Sequence, residues 1–142
     1  MRREALRAQH MAHEERRRLL ALLARRLASR PDIIFAVAFG GFLEDRPFRD
    51  LDIGVYLSRV ARAAEDVIEA SLYAEDLASE LSGVADLPVD VVVLNHAPPW
   101  LLYRALRGEV LVDKDPILRA RLYLMAVDNL ALVRWHGRTA GR

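Results

Sequence analysis

The hydrophobic and polar positions of the chain follow two different periods along its 142 residues. Four segments repeat apolar residues every three or four positions, the spacing of an amphipathic helix, and four shorter segments have the length and composition of strands. Glycine or proline separates most of them. The pattern predicts the order helix–strand–strand–helix–strand–helix–strand–helix, with helices near 14–29, 60–82, 98–106 and 116–135 and strands near 33–39, 50–57, 89–94 and 109–112.

The third strand is the most apolar of the four. Val89 to Leu94 carries valine or leucine on both faces, apart from Asp90. A strand of this kind is typical of the middle of a sheet, whereas Glu109 to Val112 has the character of a short edge strand. Gly83 is predicted to end the second helix. In the third helix, three residues at helical spacing are predicted to face either the core or a partner, with the core favoured: Trp100, Tyr103 and Leu106.

The size and composition of the chain predict one folded domain over residues 1–142. The chain is 53% hydrophobic, which is enough to fill a core, and residues 1–13 are predicted to be a frayed start or an extension of the first helix. A net charge of +1 gives no indication of nucleic acid or a membrane as the main partner. Because cysteine is absent, disulfides and thiolate metal sites are excluded. The start of the chain lacks the apolar stretch of a signal peptide, so a cytoplasmic location is predicted.

Three aspartates on predicted strands are the candidate metal ligands. Asp50 and Asp52 are two residues apart, so their side chains project from the same face of the second strand. Two neighbouring carboxylates repel each other unless a cation lies between them, and magnesium prefers such oxygen ligands. Asp90 interrupts an apolar strand, where an unpaired charge would be costly. If the second and third strands are neighbours, three carboxylates converge and could hold two metal ions for phosphoryl chemistry.

A glycine pair follows the first strand. Gly40 and Gly41 would let the backbone turn tightly and bring N–H groups close to an anion. A phosphate held there would reach metal ions bound by Asp50 and Asp52. The two glycines are therefore candidate nucleotide-binding residues, although a bare turn is the commonest meaning of such a pair.

A purely structural interpretation of these residues stands beside the metal-site hypothesis. An isolated Asp-x-Asp pair is most often a solvated strand edge or a helix cap, and Asp90 could be a hydrogen-bonded residue at the start of a strand after Pro88. The combination of the three on strands favours the metal site. His96, which follows the third strand near the proposed site, is predicted to be a loop histidine without a catalytic role.

These motifs resemble the nucleotidyltransferase superfamily of the DNA polymerase beta type, and within it the minimal nucleotidyltransferases, or MntA-like antitoxins. That family has Gly-Ser, a loop, Asp-x-Asp followed by apolar residues, and a third aspartate on a later strand. Here the corresponding residues are Gly40-Gly41, Asp50-Leu51-Asp52-Ile53 and Asp90. The stretch from Asn95 to Val112 also resembles the family, which has a Pro-led helix, a glycine and a Val-Leu strand there. The resemblance covers about residues 14–134.

The resemblance implies an α/β (α+β) nucleotidyltransferase fold, with a mixed β-sheet flanked by helices. It also implies magnesium-dependent transfer of AMP from ATP to a tyrosine of a partner HEPN-domain toxin, an RNase that this modification silences. By resemblance, Asp50 and Asp52 would bind two magnesium ions and, through them, the triphosphate. Asp90 would complete the metal site and help deprotonate the incoming hydroxyl. The protein could form homo- or hetero-oligomers in this role.

The chain departs from the family at the glycine turn. Gly41 stands in place of the family's serine, and Leu43-Glu44-Asp45 replaces the usual Ala-Arg-Gly. The loop before Asp50 is also shorter than the family's, and Arg46 or Arg49 would have to supply the missing positive charge. Two alternatives therefore remain open: a binding module that has lost catalysis and neutralises its partner by complex formation, and a small-molecule nucleotidyltransferase.

Overall fold

The computed structural model describes residues 13–40 and 51–140, with side chains as far as residue 132. Its elements follow the predicted order, with two short 3-10 turns at Arg62–Ala64 and Leu94–His96. The helices are α1 (His13–Ala28), α2 (Val67–Ala85), α3 (Pro99–Leu106) and α4 (Pro116–Ala140), and the strands are β1 (Ile33–Phe39), β2 (Leu51–Leu57), β3 (Val89–Val93) and β4 (Glu109–Asp113).

The four strands form one mixed sheet in the order β3-β2-β1-β4. β1 is antiparallel to β2 and to β4. β2 and β3 are parallel, and α2 forms the crossover between them. The mixed sheet flanked by helices agrees with the predicted fold class.

Helices cover both faces of the sheet. On one face, α1 and α2 bury leucines such as Leu23, Leu27 and Leu77 against alternate residues of the strands. On the other face, α3 packs Ala105 and Leu106 on the β1 residues Phe35, Val37 and Phe39, and α4 adds a second layer over α3. Two buried apolar clusters result, one on each side of the sheet.

The prediction that the third strand lies inside the sheet is wrong. Among the described strands, β3 pairs with β2 alone and is an edge strand, like β4. β3 carries valines on both faces because both faces are covered. Val91 packs in the first cluster, on the α2 side of the sheet, and Val92 packs in the second, on the α3 side. Two-sided covering by helices therefore produced the apolar pattern, without a second neighbouring strand.

Three predicted element boundaries also differ. α2 begins at Val67, because Asp66 is its N-cap and accepts hydrogen bonds from the backbone N–H groups of Ile68 and Glu69. It continues past Gly83 to Ala85 and ends where Asp86 takes a left-handed conformation with φ of 55°. α4 runs beyond the predicted end near 135, to Ala140.

The prediction that Trp100, Tyr103 and Leu106 of α3 are core residues is confirmed only in part. Leu106 is buried and Tyr103 stacks on Tyr123 of α4 with ring centroids 5.7 Å apart, but Trp100 is 58% exposed. Trp100 lies in the first turn of the helix and faces solvent, whereas Leu101 and Leu102 of the same turn pack in the second cluster. Within the described ranges, none of the helices combines the length and apolar character needed to cross a bilayer.

A polar contact joins α1 to α2 beside the first cluster. Arg30, just after α1, donates hydrogen bonds to the Tyr73 hydroxyl at 3.1 Å and to Glu80 at 3.3 Å, and its guanidinium lies over the Tyr73 ring. Burial raises the pKa of Tyr73 to about 12, because the ionised phenolate is poorly solvated there, although the hydrogen bond from Arg30 works in the opposite direction.

Candidate functional site

Asp52 and Asp90 occupy the same register position on adjacent parallel strands. Asp52 is the second residue of β2 and Asp90 the second residue of β3, so both lie at the same end of the sheet. Neighbouring strands are about 4.8 Å apart. In addition, Tyr56 is on the same face of β2 as Asp52, and Val92 is on the same face of β3 as Asp90. Both Tyr56 and Val92 pack in the cluster on the α3 side of the sheet. The two aspartates therefore lie side by side on the face of the sheet that α3 covers.

One premise of the Asp90 prediction is wrong. Asp90 is exposed and Asp52 is half-buried, so neither carboxylate is enclosed in an apolar interior. The neighbouring Val89 is buried in the first cluster, and Asp90 is the one exposed residue among the five of β3. The aspartate is tolerated because it stands at the open end of the strand, where solvent and other polar groups are available.

Gly40 brings the end of β1 against the Asp52 carboxylate. Phe39 is the cross-strand partner of Asp52, and Gly40 follows it with φ of 88°, a conformation that glycine adopts at no steric cost. A Cβ added to Gly40 would collide with Oδ2 of Asp52 and lie 3.3 Å from its Cγ. Both the backbone conformation and the closeness of the carboxylate therefore require glycine at this position.

The remaining predicted site residues lie outside the described residues. Asp50 and Gly41 belong to the stretch 41–50, as do Glu44, Arg46 and Arg49. Within residues 13–40 and 51–140, no three histidine, aspartate or glutamate side chains come together as a metal site. The described part of the chain thus unites Gly40, Asp52 and Asp90, and the grouping with Asp50 stays a prediction.

The last turn of α3 ends beside this group. Gly108, after the helix, packs so closely on β1 that an added Cβ would collide with the Ala38 carbonyl oxygen and lie 2.8 Å from Cβ of Phe39. Arg104, on the last turn, extends its guanidinium over the Phe39 ring, 5.9 Å from the ring centroid. An exposed cation therefore lies on the same face as Asp52, over the strand next to it.

Asn95 holds β3 alongside β2 at the opposite end. Its side-chain Nδ2 donates to the Leu57 carbonyl at 3.0 Å, and its Oδ1 accepts from the Leu57 backbone N–H at 2.8 Å. The amide thus satisfies both backbone groups of Leu57, as a further strand residue would. This pair of hydrogen bonds, called the Asn95 bracket below, stabilises the parallel register in which Asp90 lies beside Asp52.

His96 is not near the carboxylates, contrary to the predicted location. It follows the far end of β3, and its Nε2 lies 2.9 Å from the Ala63 carbonyl oxygen, which supports the prediction of a structural histidine. A groove of about 270 Å³ opens beside it along the free edge of β3, between α2 and α3, lined mainly by valine and alanine. Among the residues that the structure describes, its lining contains no carboxylate, lysine or arginine, so it is unsuited to a triphosphate.

Arg104 and Asn95 were not singled out from the sequence. An arginine in the last turn of a helix is usually a solvated charge that complements the helix dipole, and an asparagine after a strand usually marks a turn. The sequence offered one signal for the position of Arg104, which is that Gly108 follows it four residues later. The glycine marks the point where the end of the helix approaches β1.

Comparisons with known proteins agree with this architecture. No curated protein matches the sequence. A crystal structure of the MntA–HepT toxin–antitoxin, carrying two aspartate-to-glutamate changes two positions apart, is similar with 17% identity over 88% of this chain and 93% of that one, at a TM-score of 0.64. An MNT antitoxin in complex with the tri-AMPylated HEPN toxin of Shewanella oneidensis shares 17% identity over 89% and 92% of the two chains, at a TM-score of 0.60.

A third similar structure is a toxin–antitoxin with AMP-PNP, at 18% identity over 91% of this chain and 95% of that one and a TM-score of 0.62. These likenesses establish a shared fold. The family model described as "Polymerase beta, Nucleotidyltransferase" matches residues 23–117, which include β1, β2, β3 and all the described site residues. The chain therefore belongs to the polymerase beta nucleotidyltransferase family.

Proposed function

We propose that the protein transfers AMP from ATP to a tyrosine hydroxyl of a HEPN-domain partner and acts as the antitoxin of that partner. The observation that carries the proposal is the register of Asp52 with Asp90 on adjacent strands, beside the turn at Gly40. This arrangement presents two carboxylates side by side on one face, at the end of the sheet where β1 stops, with Asp52 half-buried and Asp90 exposed.

The residues fit magnesium. Carboxylate oxygens are its preferred protein ligands, and the Asp52 carboxylate lies against Gly40, where any side chain would obstruct it. Asp52 and Asp90, with Asp50 as the third predicted ligand, would hold the metal. When bound, magnesium would neutralise charge on the phosphates.

The proposed reaction is an in-line displacement at the α-phosphorus of ATP. The acceptor oxygen forms a bond to that phosphorus, the bond from the phosphorus to the bridging oxygen breaks, and pyrophosphate leaves. The hydroxyl proton passes to the carboxylate of Asp90, which is exposed and therefore reachable by an acceptor from solvent. Gly40 leaves room for the Asp52 carboxylate against the end of β1.

Two observations support a protein as the acceptor. Similar structures are toxin–antitoxin complexes, and in one of them the HEPN toxin is AMPylated. In addition, α4 exposes four large apolar side chains on its solvent side, a property typical of surfaces that contact other proteins: Ile117, Leu124, Met125 and Leu132. A small-molecule acceptor would not explain that surface.

The test is to incubate the protein with labelled ATP, magnesium and its proposed HEPN-domain partner, and to compare it with Asp52→Asn. Asp76→Asn, which removes an exposed carboxylate from α2, is the matched control. Label should appear on the partner with the parent protein and the control and be lost with Asp52→Asn. If none of the three labels the partner and all inhibit it equally, the protein is a binding module without catalysis.

A further inference from the structure

We infer that Arg104 binds the phosphate chain of the nucleotide. The inference rests on the proposed function. It identifies a positively charged residue, outside the glycine turn, that would contact the phosphates of ATP. The starting point is the position of the Arg104 guanidinium over the Phe39 ring, 5.9 Å from its centroid. Phe39 is the direct cross-strand partner of Asp52, so the cation and the carboxylate share one face of the sheet.

The path of the chain brings α3 to this end of the sheet. β3 runs away from Asp90, and the turn at Leu94–His96 leads into α3 at the far end. The helix then returns across the face of β1, and Gly108 seats its end against Phe39. The last turn of α3 is thereby fixed beside the start of β2, where Asp52 lies, and Arg104 is part of that turn.

The lateral separation suits a phosphate chain. Phe39 is one strand from Asp52 and two strands from Asp90, and each step is about 4.8 Å. A triphosphate anchored at Asp52 through metal therefore has its other phosphates within reach of an arginine over Phe39. Arginine binds phosphate oxygens with two parallel hydrogen bonds, which are stronger because both groups are charged.

Electrostatics favours such a cation in addition to magnesium. ATP is a polyanion, and the described groups nearest to it, Asp52 and Asp90, are carboxylates. Arg104 is exposed, makes no ion pair within the described part of the chain, and is held in place by Phe39. Arg107, one turn further, instead donates to the Tyr103 hydroxyl at 3.1 Å, so it is directed back along the helix. Arg104 is therefore the arginine of α3 that is free to contact phosphate.

The experiment measures binding of Mg·ATP, Mg·tripolyphosphate and adenosine by calorimetry to the full chain and to Arg104→Ala, Arg104→Lys and Arg59→Ala. Arg59 is the control, because it is exposed and lies after β2, at the opposite end of the sheet. Arg104→Ala should weaken ATP and tripolyphosphate about tenfold or more, which corresponds to loss of a charge-assisted hydrogen bond. Arg104→Lys should recover part of this affinity, and adenosine binding should change less than about twofold.

Arg104→Ala with ATP affinity equal to that of Arg59→Ala would overturn the inference, and so would an equal loss of affinity for adenosine, which would indicate a contact to the nucleoside. Asp52→Asn distinguishes failure of the inference about Arg104 from failure of the proposed function. If it abolishes Mg·ATP binding while Arg104→Ala does not weaken it, the proposed function stands and the inference fails. If the parent protein binds no Mg·ATP, both fail.

Discussion

Phe39 and Asp52 face each other across β1 and β2, and the carboxylate of Asp52 lies against the next residue of β1, Gly40. This relationship connects the fold to the site. The buried Phe39 ring anchors the end of β1 in the α3-side cluster, and the chain then turns at a glycine that leaves room for the carboxylate. The site is thus the point where the apolar sheet ends and its edge becomes polar.

The first prediction concerns the turn. Gly40→Ala should destabilise the protein by about 1–2 kcal/mol, because alanine is strained at a positive φ and its Cβ would displace Asp52. The measurement is urea unfolding. Gly83→Ala is the matched control, since Gly83 is an exposed helical position with open space around it and alanine should stabilise it by about 0.5–1 kcal/mol. Equal effects of the two changes would contradict the role of the turn.

The second prediction concerns metal binding. Magnesium at ten times its dissociation constant should stabilise the protein by about 1.4 kcal/mol and raise Tm by a few degrees. Asp52→Asn and Asp90→Asn should abolish this shift, because each removes one of the paired carboxylates. Asp76→Asn should retain it, and chelation by EDTA should remove it from the parent. A shift that survives in both site variants would assign the metal to another place.

The third prediction concerns the bracket that sets the register. Asn95→Ala should cost about 1–3 kcal/mol in urea unfolding, because the N–H and carbonyl of Leu57 lose their partners together. Asn129→Ala is the control, as Asn129 is exposed on α4 and alanine favours a helix. The magnesium-induced shift in Tm should also become smaller in Asn95→Ala, since Asp90 depends on the same register. A loss of stability no larger than that of the control would contradict the bracket.

The fourth prediction concerns alkaline pH. The pKa of Tyr73 is raised from 10.0 to about 12 in the folded state, so the folded protein retains a proton that the unfolded chain loses. The contribution of Tyr73 to stability is therefore fully present below pH 10 and is lost as the pH rises to about 12. The free energy of unfolding should fall more steeply between these values in the parent than in Tyr73→Phe. Parallel curves for the two proteins would show that Tyr73 does not titrate abnormally.

The order and bounds of most elements could be predicted from the sequence, because periodicity reports directly which side of an element is buried. Ile33 to Phe39 is an example, since its apolar run ends at the glycine where the strand ends. The position of β3 could not be predicted in this way. Apolar residues on both faces of a strand indicate that both faces are buried, but they do not indicate whether the strand has a neighbouring strand on each side. Val91 and Val92 therefore suggested an interior strand, whereas β3 is an edge strand whose two faces are buried against the helices.

The site was partly predictable for a related reason. The alternation of residues put Asp52 on the opposite face of its strand from Leu51, Ile53 and Val55, and the parallel pairing brings Asp90 beside it. Arg104 was not predictable, because its role depends on where the end of α3 crosses β1, which is a long-range packing relationship between Gly108 and Phe39. Long-range packing of this kind leaves little trace in the local pattern of one sequence.

Nucleotidyl transfer that depends on Asp52 and Asp90 can be followed with two labels. ATP labelled at the α-phosphate or at the γ-phosphate is incubated with magnesium, the HEPN-domain partner and the parent protein, Asp52→Asn or Asp90→Asn. We expect that only the α-label is retained on a partner tyrosine, that the γ-label is released in pyrophosphate, and that both variants lose the transfer. Retention of the γ-label, or undiminished transfer by both variants, would contradict this expectation.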